Sequence, residues 1–241
     1  MINFKDQKIR LRRLFIGIVI AVVNVSCSKD QVIDVKVKEI VTFPAAIEPT
    51  CREGVAKIYD ECGSQQMVLN QALQAAKQTD KTVLISYGAE WCIWCHVFDQ
   101  YVKGSSREFD YQWQYHDGEN LSWSMQEKAN KNAETEAQAL NHYFADNFVL
   151  AHIESYYSVD GEQVLFDLGY DVDSIVGVPL ILVLDQNGQI ADRMKSSNQL
   201  IGLEIRSDSG REFRGYDRKL LLAELKRLKK SSENHEPWQS F

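Results

Sequence analysis

Apolar residues follow two patterns along the chain, one with the period of a helix and one in short, mostly uninterrupted runs. Apolar positions three or four residues apart predict amphipathic helices over 65–77, 125–146 and 217–230. The apolar runs predict buried strands over 82–87, 148–153 and 180–184. Asn187-Gly188 is a two-residue hairpin signal, so the last run is expected to return as a partner strand. Helices that alternate with buried strands predict an α/β protein.

Two cysteines follow the first of these strands, and Gly88, Ala89 and Glu90 turn the chain between the strand and the cysteines. If a helix begins near Cys92, the unpaired N–H groups and the dipole of its first turn stabilise a thiolate there. Cys95 then lies one turn further on, where its thiol can attack the mixed disulfide that Cys92 forms. The spacing therefore predicts a redox-active pair.

The N-terminus has the pattern of an export signal over residues 1–26. A basic region precedes an apolar core over 14–25, which is short for a membrane span, and Ser26-Cys27 follows it. This arrangement resembles a bacterial lipoprotein signal and predicts lipidation of Cys27. Asn24 departs from the aliphatic residue usual in that signal, so an uncleaved anchor and plain secretion with a spare thiol stay open. We expect the body of the chain in the cell envelope, facing the periplasm or on the surface, anchored to the membrane through Cys27.

The charge of the chain bears on its partners. The net charge is −7, and residues 1–26 hold five basic side chains against one acidic, so the chain without them carries −11. A surface this acidic argues against nucleic acid as a partner, because nucleic-acid binding depends on neutralising phosphates.

A second cysteine pair lies before the first predicted helix. With Cys27 lipidated, Cys51 and Cys62 remain beside the redox pair, in a compartment that permits disulfides. A bond between them would close a short loop. It would act either as a structural staple of the N-terminal arm or as a second redox relay.

Three separate features resemble the thioredoxin family. Ala89-Glu90-Trp91-Cys92, followed by Cys95, resembles its active-site turn. Gly177-Val178-Pro179 matches the loop in which the family carries a cis-proline, and residues 185–188 match the hairpin after it. The chain is most similar to exported members with Trp before the second cysteine. The resemblance implies a central mixed sheet flanked by helices, and disulfide exchange that needs no cofactor beyond the redox-active Cys92–Cys95 disulfide.

The resemblance also implies a domain organisation. A tether and N-terminal arm occupy 27–63, and the thioredoxin-like domain occupies 64–230. A largely helical insertion is expected after the CxxC helix, at about 104–146, and a C-terminal tail over 231–241. The first half of the insertion is polar and rich in aromatic residues, which suits either a small surface core or a lip beside the cysteines.

Site roles follow from the resemblance residue by residue. Cys92 would be the attacking thiolate and Cys95 the buried thiol that resolves the mixed disulfide. Pro179 would be cis, Val178 would offer its backbone to an extended substrate, and Trp91 would shield the sulfurs. The residues expected to contact substrate are Trp91, Ile93, Trp94, Val178 and Pro179.

One departure from the family affects proton transfer. Thioredoxins carry a buried acid six residues before the first cysteine, and this chain has Ser86 there. His152 aligns with a family lysine on the next strand, so His152, or water held by Ser86, is the candidate proton relay for Cys95. The alternative is that His152 is a hydrogen-bonded core histidine. His96 either lowers the pKa of Cys92 or lies on the surface without a role.

The expected partners are protein thiols and disulfides of the cell envelope. A reductase, which is the favoured direction over an oxidase, needs electrons from a membrane thiol donor. Two other functions stay open. Cys92-Ile93-Trp94-Cys95-His96 also fits the c-type haem attachment sequence, with Met125 or Met194 as second axial ligand. A binding protein could instead hold a soft metal ion between the thiols and His96 or His152.

Overall fold

The computed structural model describes residues 37–116, 120–195 and 203–234. The predicted signal segment and Cys27 therefore lie outside the described residues. Within the described ranges, no helix is long and apolar enough to cross a membrane.

Helices and strands alternate through most of the chain. The strands are β1 (Val41–Phe43), β2 (Thr82–Gly88), β3 (Arg107–His116), β4 (Asn120–Ala129), β5 (Phe148–Glu154), β6 (Leu180–Leu184), β7 (Ile190–Arg193), β8 (Leu203–Asp208) and β9 (Arg211–Tyr216). The helices are α1 (Gln65–Thr79), α2 (Ile93–Val102), α3 (Glu134–Asn147), α4 (Gly161–Asp167) and α5 (Arg218–Glu233). Because α5 continues to Glu233, the first residues of the predicted tail belong to a helix.

The main sheet has five strands in the order β1-β5-β2-β6-β7. The strands β1, β5 and β2 are parallel, whereas β6 and β7 run antiparallel to their neighbours. A mixed sheet in this order, with helices on both faces, is the thioredoxin-like fold that the sequence predicted. The central position of β2 explains its apolar composition, because residues 83–88 are all buried.

Two layers of apolar side chains cover the two faces of this sheet. On one face Val68 and Ala72 of α1 pack with Ile85 and Ile153. On the other face α2, α3 and α5 pack on the sheet through side chains that are almost fully buried, among them Leu84, Phe98, Leu140, Phe148 and Leu221. Burial of a side chain of this size contributes roughly 1.5–3 kcal/mol. The buried face of α2, the helix that begins after Cys92, is therefore packed against the core.

A second sheet corrects the prediction for the insertion. It has the strand order β4-β3-β9-β8 and is antiparallel throughout. The helix predicted from residue 125 begins only at Glu134, so the insertion is a β-hairpin followed by a helix and is not largely helical. Phe109, Tyr111, Trp113 and Tyr115 recur at every second position of β3, which is the period of a strand. The helical spacing of apolar residues after residue 125 obscured this strand signal in the sequence.

A second hairpin was not predicted. The strands β8 and β9 precede the last helix and pair over their whole length. Ser209 and Gly210 form the turn, with φ of 53° and 79°. A turn with both central residues at positive φ is typical of tight hairpins. Ser-Gly was therefore the overlooked signal.

The predicted hairpin after β6 does form, although its loop is longer than two residues. The N–H of Asp185 donates to the carbonyl oxygen of Gln189 at 2.7 Å, which closes a five-residue loop. Gly188 has a φ of 78°, where a side chain would be strained. The Asp185 carboxylate accepts from the N–H groups of Asn187 and Gln189 and stabilises the turn.

Candidate redox site

The attacking cysteine lies where the sequence placed it, at the start of a helix. Cys92 is the N-cap residue of α2, with extended backbone angles, and its Sγ accepts a hydrogen bond from the N–H of Cys95 at 3.1 Å. A sulfur at this position receives the N–H groups and the positive end of the helix dipole. The local geometry therefore favours negative charge on Cys92.

The second cysteine lies behind the first and away from solvent. Cys92 and Cys95 are joined in a disulfide, with Cys92 4% exposed and Cys95 0% exposed. An incoming thiolate thus reaches Cys92 more easily than Cys95. The order of attack that the resemblance implied is consistent with this burial.

The proline loop supplies the other half of the site. The Val178–Pro179 peptide bond is cis, as predicted. Val178 packs against the cluster that contains Cys92 and Cys95, so the structure brings together two segments that are 83 residues apart in the chain. Pro179 follows, half-buried, at the start of β6.

The residues beside the cysteines also lie close to them. Trp91 is half-buried, packs against the cysteine cluster and makes an edge-on ring contact with Tyr156. Trp94 packs on the same cluster and meets the ring of Tyr216 from β9 edge-on, with centroids 5.4 Å apart. Ile93 packs against the core behind the helix. Ile93 stays a proposed substrate contact.

Two aromatic residues of the insertion pack against the buried face of α2. Phe109 and Tyr111 are buried in the same core as Phe98 and Tyr101 of α2. Tyr216 of the second hairpin donates a hydrogen bond to the carbonyl oxygen of Trp94 at 3.2 Å. Phe109 and Tyr111 therefore belong to the main core and not to a separate surface core.

Tyr59 of the N-terminal arm is a site residue that sequence reasoning missed. It is fully buried and belongs to the same cluster as Cys92 and Cys95. Its hydroxyl lies 3.0 Å from the hydroxyl of Ser86, and its ring meets that of His152 edge-on at 5.0 Å. Tyr59 thus contacts both candidate proton-relay residues and the cysteine pair.

Gly88 shows how close Tyr59 comes to the second sulfur. A Cβ added at Gly88 would lie 2.6 Å from the Sγ of Cys95 and 2.6 Å from the hydroxyl of Tyr59. The two atoms therefore flank one point and are at most twice that distance apart. A glycine is required there because any side chain would displace one of them.

A disulfide between Cys51 and Cys62 closes the loop that carries Tyr59. Glu90 holds this loop from the other side, because its Oε2 accepts hydrogen bonds from the backbone N–H groups of Ile58 and Tyr59 at 3.1 and 3.2 Å. The arm is therefore packed into the site rather than forming a separate tether. The sequence offered no signal for this placement.

His96 is buried, which corrects the expectation of a surface residue. Its Nε2 donates to the backbone carbonyl oxygen of Glu90 at 2.7 Å and lies 3.2 Å from Oε1 of the same residue. Burial alone would raise the pKa of Glu90, but the hydrogen bond and charge of His96 and the backbone N–H of Ile58 lower it below its usual range. His96 therefore stabilises the turn before the cysteines.

Asp99 is a second buried carboxylate, one helical turn after Cys95. It lies 3.1 Å from Nε2 of His152 and 2.7 Å from Nζ of Lys103, whose side chain is 42% exposed. Burial opposes ionisation of Asp99, yet the hydrogen bond from His152 and the charge of Lys103 lower its pKa. An acid at i+4 from Cys95, in a largely apolar helix, was the available sequence signal.

His152 lies beside Ser86 in the register of β5 and β2, as the sequence alignment implied. It is fully buried, and Nδ1 has no hydrogen-bond partner among the described residues. Tyr59 links His152 to the cysteines, because its ring contacts that of His152 and it belongs to the buried cluster of Cys92 and Cys95. His152 is hydrogen-bonded to Asp99, as a core histidine would be, and its relay role stays a proposal.

The two other functions find no support in this geometry. His96 is engaged by Glu90, and both candidate axial methionines, Met125 and Met194, pack against the core. Over the described ranges, the group of potential metal ligands that lies close together is Cys51, Asp60 and Cys62, and its two cysteines are joined to each other. The thiols of the CxxC pair do not meet either histidine in such a group.

The fold and the site together define a thioredoxin-like fold that carries a CxxC disulfide at the start of α2. The family model Thioredox_DsbH, described as "Protein of unknown function, DUF255", matches residues 65–104, which run from α1 to the end of α2. A crystal structure of a disulphide isomerase from Xylella fastidiosa Temecula1 is similar to part of the chain. It is 19% identical, with a TM-score of 0.36, over 56% of this chain and 76% of that one. No curated protein matches the chain.

Proposed function

We propose that this protein exchanges disulfides with other exported proteins through Cys92 and Cys95, as a protein disulfide oxidoreductase. The observation that carries the proposal is the position of Cys92 at the N-cap of α2, with Cys95 fully buried and Val178 packed against the cluster that contains both. This arrangement places the attacking sulfur nearer to solvent than the resolving sulfur, which favours exchange through Cys92.

The reaction can be written in the oxidising direction from this disulfide state. A substrate thiolate attacks Sγ of Cys92, a new sulfur–sulfur bond forms, and Cys95 leaves as a thiolate with the bonding electrons. A second substrate thiolate then attacks the substrate sulfur and displaces the Cys92 thiolate. The substrate becomes a disulfide, and the two protons lost by its thiols convert the two cysteine thiolates into thiols. The reductase direction, which we favour, is the reverse sequence.

The substrate is proposed to bind as an extended segment beside the proline loop. The backbone of Val178 would pair with it as an added strand, and Trp91, Ile93, Trp94 and Pro179 would surround the reacting sulfur. The packing of Val178, Trp91 and Trp94 on the cysteine cluster supports this assignment.

We further propose that the protein acts in the cell envelope, anchored through a lipid on Cys27 and facing the periplasm or the surface. A thiol reductant there needs electrons from across the membrane, so a membrane thiol donor is the proposed partner. The support for this placement comes from the N-terminal sequence pattern alone.

The test is a trapping experiment with full-length protein. Reduced Cys95→Ser should form a stable mixed disulfide through Cys92 with disulfide-bonded envelope proteins, seen on non-reducing gels, because the resolving thiol is gone. The control Cys92→Ser/Cys95→Ser keeps Cys27 but should trap nothing. If Cys95→Ser traps no more than the control, the proposal is wrong. The midpoint potential of the wild-type pair then gives the direction, with roughly −270 mV expected for a reductase and roughly −120 mV for an oxidase.

A further inference from the structure

A buried sulfur that leaves as a thiolate needs a hydrogen-bond donor, and the usual buried acid of the family is absent. Cys95 has no exposed surface, so water does not reach its sulfur directly. Ionisation in such a place is costly unless a polar group lies within reach. The atoms around Cys95 therefore decide how easily the pair opens.

We propose that the hydroxyl of Tyr59 donates a hydrogen bond to Sγ of Cys95 whenever the disulfide opens, and so stabilises the Cys95 thiolate. This inference rests on the proposed exchange reaction. Its basis is the position of the two atoms on either side of the point where a Cβ at Gly88 would lie. Each atom is 2.6 Å from that Cβ position. Tyr59 and Cys95 also belong to one buried cluster.

Ser86 orients the hydroxyl of Tyr59. The two oxygens are 3.0 Å apart, and both residues are fully buried. A serine hydroxyl can donate to the tyrosine oxygen, which leaves the tyrosine proton free to point at a sulfur. A carboxylate in place of Ser86 would accept this proton instead. In other family members the residue at this position accepts a proton. Here Ser86 instead orients the hydroxyl of Tyr59 as a hydrogen-bond donor.

The electrostatic surroundings keep Tyr59 protonated. Burial raises the pKa of Tyr59 far above its usual value, and the charges of Glu90 and Asp99 raise it further, against the opposing hydrogen bond of Ser86. Tyr59 therefore remains a neutral donor across the pH range in which thiols titrate. In the exchange step the sulfur–sulfur bond breaks, Cys95 keeps the bonding electron pair, and Tyr59 keeps its proton while donating the hydrogen bond.

The other titratable groups described near the cysteine pair are held by ionic partners. Glu90 before α2, Asp99 on α2 and His152 on β5 are each paired with another buried group. His96 is likewise held by Glu90. The hydroxyl of Tyr59, by contrast, lies with the sulfur of Cys95 around the Cβ position of Gly88.

The closed arm brings Tyr59 into this position. The disulfide between Cys51 and Cys62 closes the loop, and Glu90 binds the N–H of Tyr59 itself. The main thioredoxin-like domain thereby receives its donor from outside its own sheet and helices. The arm thereby has a chemical role in addition to its structural one.

The thiol pKa of Cys95 tests the proposal without any substrate. Full-length Cys92→Ser is titrated by thiolate absorbance, and the signal of Cys92→Ser/Cys95→Ser is subtracted so that Cys27 cancels. Adding Tyr59→Phe should raise the pKa of Cys95 by about one to two pH units, as expected for loss of a hydrogen bond to a charged group. The matched control adds Tyr87→Phe, a buried tyrosine of β2 that packs with the opposite core, and should leave the Cys95 pKa unchanged.

Equal Cys95 pKa values in the Tyr59→Phe and Tyr87→Phe backgrounds would overturn the proposal. If Tyr59→Phe does not fold, the same Cys92→Ser protein with ¹³Cζ-labelled tyrosine replaces it. The Tyr59 signal should then move as Cys95 ionises, and a Tyr59 signal that stays still overturns the proposal. Trapping by Cys95→Ser reports separately on the exchange function, so failure of one test does not imply failure of the other.

Discussion

The carboxylate of Glu90 accepts a hydrogen bond from the backbone N–H of Tyr59 at 3.2 Å and thereby joins the N-terminal arm to the turn before the cysteines. A second donor, the N–H of Ile58, lies 3.1 Å from the same oxygen. His96 approaches the other oxygen of this carboxylate. One buried residue two positions before Cys92 thus organises both the arm and the first turn of α2.

Replacing Glu90 with Gln should destabilise the protein. An amide has one acceptor oxygen, so either the two backbone N–H groups or His96 would face the NH₂ group and lose a partner. We expect the free energy of unfolding to fall by about 1–3 kcal/mol, measured by urea denaturation. Glu39→Gln, on the exposed start of the described chain, is the control and should change little. Equal stability of the two variants would contradict this role of Glu90.

Asp99 predicts a loss of stability in acid. Its pKa is lower in the folded protein than in the unfolded chain, so its stabilising contribution is complete above the unfolded value of about 3.9. That contribution disappears as the pH falls from there through the folded value. Urea denaturation across this range should show a weaker pH dependence for Asp99→Asn than for wild type. Asp173→Asn, at an exposed position, should keep the wild-type profile.

His152 predicts a kinetic effect on release from the mixed disulfide. If His152 handles the proton of Cys95, His152→Gln should slow release at neutral pH by roughly 100-fold, the lower end of what a positioned acid–base group contributes. Rapid-mixing measurement of substrate thiol release checks this. The control is His142→Gln on α3. An unchanged rate in His152→Gln would leave His152 as a core residue hydrogen-bonded to Asp99.

Removal of the arm disulfide should lower stability. Cys51→Ser/Cys62→Ser opens the loop between two cysteines that are 11 positions apart. Loss of that constraint should lower the free energy of unfolding by about 3 kcal/mol. Thermal and urea unfolding under non-reducing conditions measure the difference. Cys27→Ser is the control, because it removes a cysteine outside the loop. A double variant as stable as this control would show that Glu90 and the burial of Tyr59 suffice to hold the arm.

Helices and strands with strong local patterns could be predicted from the sequence. The capped helix α1, the buried strand β2 and the final helix α5 form within a few residues of their predicted ranges. Each has a periodicity and an end signal inside one short window, such as Ser64 accepting the N–H of Met67. The second sheet was missed because helical and strand periods overlapped around residue 125.

The sequence by itself determined the cysteine pair at a helix start, the proline loop that faces it and the cysteines that close the arm. These features depend on residue type and spacing along the chain. Only the tertiary structure decided that Tyr59 lies beside Cys95, that Glu90 holds the arm and that Asp99 pairs with His152. Such contacts join residues that are far apart in the chain. They depend on burial and geometry that no local pattern encodes. The proton chemistry of the site therefore depends on packing, whereas its sulfur chemistry is visible in the motif.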